Sequence, residues 1–163
     1  MAGARVPRYE GHLVWTGASQ GPTRAYASYS RAYEVAFAGK ATLRGSADPT
    51  FRGDASLHNP EELLVAALSS CHCLSYLALA ALAGVHVVAY EDRASGTMEE
   101  TRGAGRFTEV VLRPKVTIAA GDPSSSTRAR ALHEEAHAAC FIAASVNFPV
   151  RCEPEIVAAA GPA

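Results

Sequence analysis

The run NPEELLVAALSSCHCLSYLALAALAG, residues 59–84, constrains the fold more than any other stretch of the chain. Asn59 can cap a helix, Pro60 fits the first helical position, Glu61 and Glu62 favour the positive end of the helix dipole, and Gly84 suits the stop. The interior, residues 63–83, is nearly all Leu, Ala, Ser, Cys and His, so the helix is apolar around most of its circumference and is expected to be the buried central element. A membrane span of about 20 residues is the rival reading. Ser69, Ser70, His72, Ser75 and Tyr76 interrupt the run and no second span accompanies it, so no membrane is expected.

The flanking sequence reads as strands. Residues 9–16 and 26–37 are rich in aromatic and β-branched types and are separated by a loop at 17–23, which predicts an antiparallel pair. A short strand at 41–44 precedes the irregular stretch GSADPTFRGD. Residues 85–99 and 106–119 read as two long strands of a hairpin, turning at Gly103 and Gly105. Ser126 or Thr127 is expected to cap a second helix running to Val146, in which Leu132, Ala136, Ala139 or Cys140, and Ala143 recur at helical spacing. Residues 148–157 return as a last strand, demoted to an edge by Pro154. This order is α+β, with antiparallel sheets around two long apolar helices, and 163 residues suit a single domain over 1–163.

With a formal net charge of −1 and scattered Lys and Arg, the chain offers no basic surface for nucleic acid or an anionic membrane. The first residues hold no apolar run of signal-peptide length, which predicts a cytoplasmic, reducing location. Cys71, Cys73, Cys140 and Cys152 sit in or beside apolar segments rather than in short loops, so chemistry or simple burial explains them better than a disulfide scaffold does.

A thiol attacks as the thiolate, and an apolar helix alone holds it protonated, so a reactive Cys71 needs positive charge brought to it. Arg24 and Arg31, then Arg44 and Arg52, are the candidates, and Glu61 is placed to fix the guanidinium fork. The plain alternative is that a helical cysteine merely fills space. Cys71 and Cys140 depart from it because each has a titratable neighbour, His72 and His137, on apolar helices that are expected to pack together. A zinc site built from Cys71, His72, Cys73, His137 and Cys140 is a rival. Residues 71 and 73 stand about 200° apart on a helix, which opposes it. His72 and His137 are then expected as core or interface histidines. A scaffold with passive cysteines is the remaining alternative.

The block NPEELLVAALSSCHCLSYL resembles the signature of the OsmC/Ohr family, in which an Asn-Pro-Glu turn opens a long helix bearing the peroxidatic cysteine ten residues after the Glu, here Glu61 to Cys71. HEEAHAACFIAASVNFPV resembles the family's second cysteine helix, and YASYSRAYEVAF, GSADPTFRGD and YEDRASGTME extend the likeness over nearly the whole chain. The resemblance implies an OsmC-like fold and an intertwined homodimer with active sites at the subunit interface. It further implies a thiol peroxidase that reduces organic hydroperoxides to alcohols and has no metal or bound cofactor. Cys71 would be peroxidatic, Cys140 resolving through a disulfide, and Glu61 the partner of the catalytic arginine, for which Arg24 and Arg31 (within YSR) both match. A small dithiol or a lipoylated protein, carrying a dihydrolipoyl group, would be the external reductant. Two features depart from many family members: Phe141 rather than Pro follows Cys140, and Cys73 adds a thiol two residues after the nucleophile. Helix arithmetic bears on the dimer, because ten residues put Glu61 about 15 Å along the axis from Cys71 and about 80° around it. On one straight helix the two cannot meet.

Overall fold

The computed structural model describes residues 6–101, 104–120 and 123–160, which divide between Leu63 and Leu64 into two compact units. In the first, strands β1 (His12–Trp15), β2 (Tyr33–Ala36) and β3 (Leu43–Gly45) form an antiparallel sheet in the order β1-β2-β3. The expected strand at 26–37 is thus short. Arg31 turns back to donate to the carbonyls of Tyr26 and Tyr29, which holds that stretch in a turn and leaves only Tyr33–Ala36 to pair. Opposite Tyr33 in the register is Gly45, where any Cβ would sit 2.3 Å from the Tyr33 ring, so the absence of a side chain lets the phenol lie across the sheet.

Helix α1 (Pro60–Leu82) has the ends that its sequence predicts. The Asn59 side chain accepts from the Glu62 N–H at 2.8 Å and the Glu62 carboxylate accepts from the Asn59 N–H at 3.3 Å, a reciprocal capping box. At the other end Val85 N–H bonds the Ala80 carbonyl and Gly84 N–H bonds the Ala81 carbonyl, a Schellman closure that needs the φ of +72° at Gly84. Among the described residues α1 is the one helix long and apolar enough to cross a membrane. What the fold does with that apolarity is to bury one stripe, Leu68, His72, Tyr76 and Ala80, in the second unit.

The second unit holds β4 (Val87–Asp92), β5 (Ser95–Thr101), β6 (Ala104–Leu112), β7 (Pro114–Ile118), helix α2 (Pro123–Ala139), β8 (Val150–Cys152) and β9 (Glu155–Ala158). The two expected long strands do pair as a hairpin, but each is broken, so β4 pairs β7 and β5 pairs β6 in separate sheets. The break is held by Asp92, whose Oδ1 accepts the Arg113 N–H at 2.7 Å and whose Oδ2 accepts the Ser69 hydroxyl at 2.6 Å. Gly103 of the expected turn lies outside the described residues. Pro154 splits the last strand: β8 adds parallel to β6 and β9 parallel to β7, each as an edge. Helix α2 differs from expectation at both ends, starting at Pro123 rather than after Ser126 or Thr127 and stopping at Ala139 rather than Val146. A short 3₁₀ turn at Ala143–Ser145 follows, so Cys140 sits just past the helix rather than within it. There its side chain accepts from the Ala143 N–H at 3.4 Å, and Ile142, Ala143 and Val146 turn inward onto Leu68, Val110 and Leu112. A continued helix would carry those groups elsewhere.

Tyr76, Ala80, Val116, Ile118, Ala129, Leu132 and Ala136 form the larger core cluster, in which α1, α2 and the β4-β7-β9 sheet meet. Each fully buried Leu or Val here contributes about 1.5–3 kcal/mol. The capping box is a local device with a local cost: Asn59→Ala should lower stability by about 1 kcal/mol in denaturant titration, while Asn59→Asp should leave it within a few tenths.

Candidate active site

Consecutive residues on α1 face different surroundings, and the cysteines differ accordingly. All four are free thiols. Cys71 lines an open cavity of about 510 Å³ together with Ala67, Ser70, Leu74, Phe141 and Ile142. Cys140 is buried, and it lies near enough to Cys71 for each thiol to act on the other. Burial pushes the Cys140 thiol up, the Cys71 thiol adds to this, and the N–H groups of Ala143 and Ile142 work against both. These influences favour the protonated thiol at Cys140. The arrangement suits a disulfide: two thiols from separate segments come within each other's influence, and one of them is open to solvent through an apolar mouth.

Cys73 faces another way. Burial and the nearby Asp92 carboxylate raise its thiol, which makes it a poor nucleophile. The rival zinc set of Cys71, Cys73 and their neighbours does not assemble among the described residues, because Cys71 and Cys73 face different surroundings across α1, as helix geometry requires.

In the first unit Arg31 and Glu61 line one cavity of about 380 Å³, walled by Trp15, Tyr29, Tyr33 and Phe51. Burial and then the Glu61 charge raise the Tyr33 phenol. Arg31 makes no ion pair with Glu61 among the described residues. Its fork is held instead by the Tyr26 and Tyr29 carbonyls, and its guanidinium carbon lies 3.9 Å from the centre of the Tyr29 ring. Glu61 thus does not fix the Arg31 fork within this chain, since backbone oxygens are nearer and already occupy the donors. Arg24 is exposed and does not line that cavity; Arg44 and Arg52 are exposed as well.

A third group was not legible as a group in the sequence. His72 Nε2 lies 3.0 Å from His133 Nδ1, and the Cys152 sulfur lies 3.6 Å from the first and 3.8 Å from the second. The ring centres stand 5.3 Å apart with planes within 8°, a separation as large as the N–N distance plus both ring radii, so the imidazoles lie edge to edge rather than face to face. Tyr76 covers the face of His133 at 4.1 Å. Burial, followed by the charges of His72 and Arg130, lowers His133 to about 4, and burial, followed by the His137 charge, lowers His72. Burial pushes Cys152 up to about 12. These three are the described side chains that could hold a metal ion together. The available signals in the sequence were HEEAH, residues 133–137, with two imidazoles one helical turn apart, and the isolated Cys152.

The OsmC-like protein family model matches residues 53–155. The chain belongs to that family. An OsmC-like protein of unknown function from Vibrio cholerae is 32% identical, with a TM-score of 0.82 over 91% of this chain and 99% of its own. Organic hydroperoxide resistance proteins from Legionella pneumophila (15% identity, TM-score 0.63) and Elizabethkingia anophelis (16%, TM-score 0.62) share the fold, each over 94% of this chain and 99% of theirs. No curated protein matches the chain.

The buried imidazoles generate a pH dependence. An unfolded His takes up its proton near pH 6.5, whereas folded His133 does so only near 4, so acidification between these values protonates the unfolded state first. Stability is complete above the unfolded value and is lost as pH falls through this window, by on the order of 3 kcal/mol for His133. Urea titrations from pH 7 to 4 with chelator present should show that fall, and His133→Phe should flatten it.

Proposed function

We propose that this protein is a thiol-dependent peroxidase that reduces organic hydroperoxides to alcohols, with Cys71 peroxidatic and Cys140 resolving. The observation that supports it most is the place of Cys71 in an open, mainly apolar cavity, with the buried Cys140 thiol near enough to influence it. Family membership and the names of the Legionella and Elizabethkingia proteins point the same way. In this reading the Cys71 thiolate attacks the terminal peroxide oxygen, the O–O bond breaks, and the alkoxide leaves as alcohol after taking a proton. Cys71 is then a sulfenic acid. The Cys140 sulfur displaces its hydroxyl as water, forming the disulfide, and two electrons from an external dithiol, either a small molecule or a dihydrolipoyl group on a protein, restore both thiols. No metal or bound cofactor takes part in this cycle.

Arg31 or Arg24 would supply the positive charge that a thiolate and a polarised peroxide need, with Glu61 orienting it. Ten residues of helix separate Glu61 from Cys71, so the reading requires that one copy of the chain complete the site of another. A second feature supports a homodimer. The outward stripe of α1 is Ala66, Ser70, Leu74, Ala78 and Leu82, and Leu74, Leu82 and neighbouring Phe141 are 69%, 86% and 83% exposed in the single chain. Apolar surface of this kind is usually covered by a partner. A cytoplasmic location, where dithiol reductants are maintained, belongs to the same proposal.

Cys71→Ser should abolish reduction of an organic hydroperoxide. Cys140→Ser should complete one turnover and leave a sulfenic acid at Cys71, trapped by dimedone and seen by mass spectrometry. Multiple turnover by the Cys71 variant would refute the assignment. Sedimentation equilibrium should show a dimer at assay concentration, and Leu74→Glu should shift it toward monomer with loss of activity; a fully active monomer would remove the second part of the proposal.

A further inference from the structure

The cluster of His72, His133 and Cys152 takes no part in the cycle proposed for Cys71 and Cys140. It shares no lining residue with the Cys71 cavity and belongs to three different elements, α1, α2 and β8. Such donors, fixed on regular structure and converging from 61 and 19 residues apart, are placed more firmly than loop residues would be. We infer that these three side chains form a metal site for a thiophilic ion of the zinc class, Zn²⁺ or, in a reducing compartment, Cu⁺.

The geometry carries the inference. A tetrahedral ion with Zn–N near 2.0–2.1 Å and Zn–S near 2.3 Å sets its ligands about 3.3 Å apart for N–N and about 3.6 Å for N–S. The observed N–S separations are 3.6 and 3.8 Å, and the N–N separation is 3.0 Å. Opening the nitrogens by about 0.3 Å, a small turn of each ring, fits the ion. A hydrogen bond between the imidazoles accounts for the two nitrogens alone. The sulfur stands nearly equidistant from both nitrogens, close to the N–S separations that one ion at the centre of the three would set. Two neutral imidazoles and a thiol that gives up its proton to solvent on binding would supply three lone pairs to one point.

Access agrees with this. A cavity of about 440 Å³ reaches the cluster, lined by His133, Glu134, His137, Arg151, Cys152 and Glu153. It gives an ion a route in, with two carboxylates along it, and leaves the fourth position to water.

The test uses the reduced full-length protein, stripped with chelator. Competition against a chromophoric chelator should show one Zn²⁺ per chain. Co²⁺ in its place should give a near-ultraviolet thiolate charge-transfer band, and a parallel Cu⁺ titration distinguishes the two ions. Cys152→Ser should lose the band and weaken Zn²⁺ binding at least about tenfold, whereas the double variant Cys71→Ser/Cys140→Ser should keep both. Imidazole ¹⁵N spectra of the wild type give a reading that does not depend on how Cys152→Ser folds: Zn²⁺ should move His72 Nε2 and His133 Nδ1 and leave His58 unchanged. No uptake of either ion at one equivalent, unmoved His72 and His133 signals, or binding that survives Cys152→Ser but not the double variant would each overturn the inference.

Discussion

The burial of a single stripe of α1 is the constraint on which the second unit depends. Leu68, His72, Tyr76 and Ala80 recur every fourth residue and disappear into protein, and three of the four are apolar or carry a satisfied hydroxyl, as Tyr76 does through the Ala129 carbonyl at 3.1 Å. His72 is the exception in chemistry, and burying it without a partner would cost several kcal/mol. The fold answers with His133 and Cys152 from α2 and β8. Once this stripe is fixed, the 100° step between successive residues decides the rest. Cys71 turns to the open cavity and Cys140, His72 goes inward, and Cys73 faces Asp92. Three neighbours in sequence thereby become a candidate nucleophile, a core imidazole and an inert thiol.

The features legible in the sequence are those whose causes are local. Asn59, Pro60, Glu62 and Gly84 act within one turn of the helix ends they define, so α1 could be read to within a residue. The α+β order and the antiparallel pairings were legible for the same reason, since alternation and turn residues lie within a few positions of one another. The interruptions were not. Asp92 breaks the long hairpin by bonding Arg113 N–H and Ser69, partners 21 and 23 residues away. The end of α2 at Ala139 depends on Ile142, Ala143 and Val146 packing against Leu68, Val110 and Leu112, contacts that no periodicity in α2 itself encodes.

The candidate site divides along the same line. Cys71 and Cys140 could be singled out in the sequence, by their titratable neighbours and by the family resemblance, and the fold sets the two thiols within each other's influence. The arginine could not, because the turn that directs the Arg31 fork to the Tyr26 and Tyr29 carbonyls is created by the arginine itself. His133 and Cys152 stayed hidden because their significance lies wholly in meeting His72. Cys152, beside Arg151 and Glu153 in a short strand, carries no local mark of that meeting.

Pro154 divides the last strand so that β8 joins one sheet and β9 the other, both in parallel with strands laid down some 40 residues earlier. Without this clasp the β4-β7 and β5-β6 pairs would be two-stranded ribbons, each with a further open edge. The sulfur of Cys152 belongs to the same clasp. The third strand of each of these two sheets and the sulfur of the buried His–His–Cys group are therefore supplied by one short segment, residues 150–158, so whatever loosens that segment opens both sheet edges and the cluster together.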